Sequence, residues 1–95
     1  MRPSVAPGDI RGTMPRYFFD IDDGEHRTPD DLGLELSLWE ARDQAVAVLP
    51  DIARDVLPDG ERRDFVSSVR DESGQVVYTA TLSLMGRWKV EPPPR

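Results

Sequence analysis

An α+β fold is predicted for this 95-residue chain, an antiparallel sheet of four to five strands with one helix packed on one face. Three observations predict it. Segments that alternate with period two lie toward both ends of the chain. One segment with helical spacing lies between them. Turn residues punctuate both ends where hairpins would reverse. The order is hairpin, helix, hairpin, which a two-layer domain satisfies.

Residues 16–21 read as the first strand, with Tyr17, Phe19 and Ile21 on one face and Phe18 and Asp20 on the other. Asp22-Asp23-Gly24 supplies a tight turn. A short polar strand is expected over 25–28, broken by Pro29, and a third short strand or lead-in over 32–36. Ser37-Leu38-Trp39-Glu40 has the S-x-x-E form of a capping box and opens a helix. Its apolar stripe runs through Leu38, Ala41, Ala45, Val48 or Leu49, Ile52 and Val56, widened by Trp39, Val46 and Ala53. Pro50 lies inside that stripe, so the helix is expected to kink there or to split in two. Pro58-Asp59-Gly60 ends the segment. A strand over 64–70 follows, with Phe65, Ser67 and Val69 on one face. A turn over 71–74 leads to the longest strand, 75–85, which 86–90 could extend past a bulge.

Six of the nine prolines lie in the first 15 or last four residues. Residues 1–14 read as a disordered N-terminal extension, 15–90 as a single domain and 91–95 as a Pro-rich tail. The chain has 12 basic and 18 acidic side chains, one His and no Cys. The lack of Cys excludes a disulfide framework, a thiol nucleophile and a thiolate metal site. A single His excludes a multi-histidine metal site within one chain. No apolar run reaches the ~20 residues of a membrane-spanning helix, and residues 1–12 lack a secretory h-region. A cytoplasmic protein with no cofactor is the expectation.

The string Met14-Pro15-Arg16-Tyr17-Phe18-Phe19-Asp20, followed by Asp23-Gly24, resembles the opening of a family of short alphaproteobacterial proteins of unknown function, frequent in rhizobia and methylobacteria. The resemblance continues through Glu40-Ala41-Arg42, Asp51-Ile52-Ala53-Arg54 and Val69-Arg70-Asp71-Glu72. It implies Met14 as the natural start and brings no activity, cofactor or catalytic residue. A weaker likeness in element order, to antitoxins of the HicB type, implies a small basic protein as partner.

Asp20, Asp22, Asp23, Glu25, Asp30, Asp31 and Glu35 stand against one base, Arg27. Such a segment either binds a basic protein surface or consists of turn-forming aspartates on a solvated edge. The EF-hand pattern fails: from Asp20, position five is Gly24, position six Glu25 and position 12 Asp31. His26 has no hydroxyl or thiol placed by spacing as its nucleophile. The pairs Asp51/Asp55 and Glu40/Asp43 share helix faces but lie opposite the apolar stripe. Arg62-Arg63, with Arg16 and Arg70, is the only basic cluster, and a net charge of −6 argues against nucleic acid. Trp39, Trp88 and Tyr78 are candidates for an aromatic pocket or interface anchor, with Trp88 the best placed. The reading is a non-enzymatic interaction or accessory protein, with a homodimer through the outer sheet face as one form of that interaction. The candidate binding residues are Asp20, Asp22, Asp23, Glu25, Asp30, Asp31 and Trp88. A DNA-mimicking regulator is one rival. The other is a small enzyme or ligand-binding protein with a cleft lined by Trp39 and Tyr17 beside a buried carboxylate.

Overall fold

The computed structural model describes residues 14–56 and 62–95. The order of elements is β1 (Arg16–Asp22), β2 (Arg27–Thr28), β3 (Leu34–Glu35), α1 (Leu38–Arg54), β4 (Arg62–Arg70) and β5 (Val76–Met85). All pairings are antiparallel, in the order β2-β1-β4-β5, with β3 also on β1. This is the expected α+β fold. The readings of 1–13 as disordered and of Pro58-Asp59-Gly60 as a terminator fall outside the described residues.

The sheet alternation sorts the residues as the sequence suggests. Phe19 lies opposite Val69, Ile21 opposite Ser67, Val69 opposite Tyr78 and Phe65 opposite Leu82, so these side chains share the face beneath α1. Tyr17, Ala41, Ala45 and Val69 form the buried cluster, with Phe19, Leu36 and Tyr78 packed against it. Two alanines at the contact let the helix approach the sheet closely. Full burial of Phe65 and Val69 contributes on the order of 1.5–3 kcal/mol each.

The capping box forms as expected: Glu40 N–H donates to Ser37 Oγ, and Ser37 N–H donates to Glu40 Oε1. Pro50 neither splits the helix nor ends it, because α1 runs through it to Arg54. Pro50 and Val46, whose carbonyl loses its donor, are both exposed, so water can replace the missing bond. The wide stripe is only half used. Ala41, Ala45 and Leu49 are buried, while Leu38, Trp39 and Val46 are exposed. The helix is narrower than its apolar arc and leaves one flank of that arc uncovered.

Several boundaries differ from expectation: β1 runs one residue further than expected, β4 begins at Arg62 rather than at 64, and β5 begins at Val76 rather than at 75. The second and third strands are two residues each; ahead of the second, Asp23 Oδ1 accepts from the N–H groups of Glu25 and His26 and holds them in the turn. Among the described residues, no strand follows Met85, which pairs with Arg62, the first residue of β4. Residues 86–95 are exposed and carry no helix or strand. Among the described residues, no helix is long and apolar enough to cross a membrane.

Ser67 is fully buried beneath α1, and its Oγ has no hydrogen-bond partner. A buried hydroxyl without a partner costs about 1–3 kcal/mol. Ser67→Ala is expected to raise unfolding stability by about 1 kcal/mol in urea denaturation, with an unchanged m-value.

Candidate functional site

The acidic segment is spent largely on holding the sheet together. Asp20 is only 4% exposed, although alternation puts it on the face away from α1. Arg70 reaches it across the β1–β4 pair, with Nε to Oδ2 at 2.6 Å and Nη2 to Oδ1 at 3.1 Å. Arg70 also donates to the Asp30 carbonyl at 2.8 Å and lies over the Phe18 ring, 5.0 Å from its centroid. Asp30 N–H in turn donates to Asp20 Oδ1 at 2.9 Å.

The Asp30 side chain completes the outer edge of β1. That edge pairs with β3 at Arg16 and Tyr17 and with β2 at Ile21 and Asp22. In the gap, Phe19 N–H donates to Asp30 Oδ2 at 3.1 Å. Asp30 Oδ1 accepts from Leu32 and Gly33. Gly33 has φ +71, and a Cβ there would come within 2.9 Å of the Tyr17 carbonyl, so a side chain is excluded where the loop crosses β1.

These contacts set the acidities. The hydrogen bond from Arg70 holds the Asp20 carboxyl below its ordinary value, against an opposing desolvation. Burial pushes Asp30 up, but backbone donation from Phe19, Leu32 and Gly33 outweighs it and leaves the group lowered. Backbone donation from His26 and Glu25 lowers Asp23.

The remaining sequence candidates are placed as follows. Asp22 Oδ1 accepts from Gly24 N–H within the turn. Arg63 donates to the Asp23 carbonyl and forms ion pairs with Asp23 at 3.5 Å and Glu25 at 3.7 Å. Asp31 and His26 are exposed. Trp88 is 64% exposed, beyond the end of β5. The basic cluster is not assembled, since Arg16 pairs with Glu35, Arg62 with Asp64, Arg63 with the hairpin tip and Arg70 with Asp20. The helix carboxylates do not form acid–base pairs: Glu40 caps α1, Asp43 pairs with Arg42 and Asp51 with Arg54. Among the described residues, no three His, Asp or Glu side chains converge to hold a metal ion.

The opposite side of the sheet is unlike the acidic one. β5 reads VVYTATLSLM, ten residues without a charge, a Gly or a Pro. It pairs with β4 on one side and, among the described residues, with no strand on the other. Between β5 and α1 runs an apolar groove. One stretch, of 360 Å³, is lined by Leu38, Trp39, Arg42, Val77 and Tyr78. A second, of 430 Å³, is lined by Val46, Leu49, Pro50 and residues 78–82. Tyr78 lines both. Trp39 is 72% exposed, and the Arg42 guanidinium at the rim pairs with Asp43 at 3.0 Å. Tyr17 does not line the groove, because it belongs to the buried cluster. The groove residues other than Trp39 and Tyr78 escape a reading of the sequence, although the uncharged run 76–85 is its visible signal.

A small α+β domain with one closed and one open sheet edge is thus the class this structure defines. Residues 16–83 match the family described as a domain of unknown function, DUF6894, and the chain belongs to that family. No curated protein and no solved structure matches it.

Asp20→Asn is expected to cost about 2 kcal/mol, because it leaves Arg70 and the 29–33 crossing without their shared anion. Asp20 is depressed in the folded chain. Its contribution is therefore fully present above the unfolded Asp value of about 4 and is lost as the pH falls through the lower folded value. Urea denaturation from pH 7 down to pH 2 checks this: the wild type should lose more stability over that range than Asp20→Asn.

Proposed function

We propose that this protein is a non-enzymatic interaction module that engages a protein through the outer edge of β5 and the groove beside α1. The observation that carries the reading is the ten-residue strand with no charge, Gly or Pro on its open side. Exposed sheet edges are ordinarily protected by charges, prolines, bulges or very short strands, since unpaired backbone groups recruit other chains. The opposite edge has such protection: two-residue strands, Pro29 between them, and the charges of Arg27, Asp30 and Glu35. The β5 edge has none beyond a single irregularity near Val69 and Arg70. A strand that adds to it gains main-chain hydrogen bonds, and the groove supplies selectivity for the side chains that point toward α1.

The acidic hairpin supports this role less well, because Asp20, Asp23 and Asp30 already hold backbone and Arg partners. An acid–base enzyme is also poorly supported. The one buried carboxylate among the described residues, Asp20, is held ionised by Arg70, and the residues that line the groove include no carboxylate.

A photo-crosslinking amino acid placed at Met85 or at Val77 in the full chain, in its own cells, should yield a discrete protein adduct. The same group at Glu72, on the β4–β5 turn, should not. Adducts of equal pattern from all three positions, or none from the edge, would contradict the reading.

A further inference from the structure

Resting on the interaction reading above, we propose that the occupant of the β5 edge is a second copy of this chain. The two β5 strands pair antiparallel about a two-fold axis at Thr81, and Trp88 of each copy seats in the Leu38–Trp39–Tyr78 cleft of the other.

Self-complementarity within one strand argues for this. The cleft lies at the Val77 and Tyr78 end of β5, whereas the exposed Met85 and Trp88 lie at or beyond the other end. Within one copy these features are a strand length apart. Residues 86–95 have no regular structure, and Trp88 and Val90 remain 64% and 70% exposed. A two-fold axis across an antiparallel strand pair brings the two ends together, because the pairing runs in opposite directions. Leu84 of one copy then lies opposite Tyr78 of the other. The tail after Gly86 passes the cleft, with Trp88 within roughly 10 Å of chain from Met85.

Area and charge agree. Covering Trp39 and Trp88, each worth roughly 200 Å², together with Leu38, Val77, Leu82 and Met85, approaches the roughly 800 Å² per partner of a stable interface. Each copy carries a net charge of −6, so association must keep the acidic segments apart. They lie at the β1 edge, two strands in from the free side of β5. Across a β5–β5 pair, the two β1 strands stand five strand spacings apart, roughly 24 Å, beyond the Debye length of about 8–10 Å. A basic protein partner would be drawn to that acidic edge instead of the uncharged one.

Sedimentation equilibrium of the full chain, from micromolar to submillimolar concentration, tests the proposal. The expected mass is twice the 10.7 kDa of one chain. Trp88→Ala should weaken the dimer at least tenfold and leave the far-ultraviolet circular dichroism unchanged, since Trp88 lies outside every element. The chain has no Cys, so a single introduced Cys reports its own neighbour across the axis. Thr81→Cys should oxidise to a covalent dimer, and Gln75→Cys should not. A single-chain mass throughout the range, or an unaltered dimer for Trp88→Ala, would overturn the proposal. A single-chain mass combined with a Met85 adduct of a different protein overturns the second copy and leaves the interaction reading standing. A single-chain mass with no edge adduct removes both.

Discussion

The ionic contact of Arg70 with Asp20, extended to Asp30, is the constraint on which the sheet depends. Among the described residues, β1 is the only strand that touches β2, β3 and β4, yet its outer partners are two residues each. So little strand pairing cannot hold a sheet edge by itself. The missing bonds come from a side chain: the Asp30 carboxylate takes the Phe19 N–H that a longer strand would have taken. Asp30 stays in place because its own N–H and carbonyl are held by Asp20 and Arg70. Three stretches distant in sequence are thereby tied at one point, and the cost of burying Asp20 is met by a paired guanidinium and a backbone donor.

That solution makes the two edges of the sheet unequal. At the β1 edge, charges, Pro29 and very short strands leave no continuous template for another chain. At the β5 edge, ten uncharged residues and an apolar groove remain available. The same division sorts the chemistry of the surface. Carboxylates are concentrated where they serve turns and ion pairs, and the exposed aromatic residues are gathered on the other side. Binding by charge and binding by apolar contact therefore belong to different edges, and the groove lies with the second.

Much of the architecture is legible in the sequence because its signals are local. Ser37 and Glu40 announce the helix start, Tyr17-Phe18-Phe19-Asp20 and 75–85 alternate as strands do, and Asp22-Asp23-Gly24 marks a hairpin. The roles of Asp20 and Asp30 are not local. Asp20 alternates onto the outer face and looks solvated, and its partner Arg70 lies 50 residues away. Trp39 and Val46 continue the apolar arc of the helix and so look buried. Whether they are covered depends on how far α1 leans over β5, which periodicity does not encode. Pro50 shows the same limit: the register of the helix tolerates it because its side faces water.

The central claim is that β5 is completed by another chain, and amide hydrogen exchange along residues 76–85 addresses it most directly. In an antiparallel strand, alternate N–H groups point to opposite neighbours. If a second copy covers the edge, the outward set should be protected at high protein concentration and should lose that protection on dilution, while the set bonded to β4 stays protected at both. Outward amides that exchange at the rate of free peptide at every concentration of the purified protein would contradict the account.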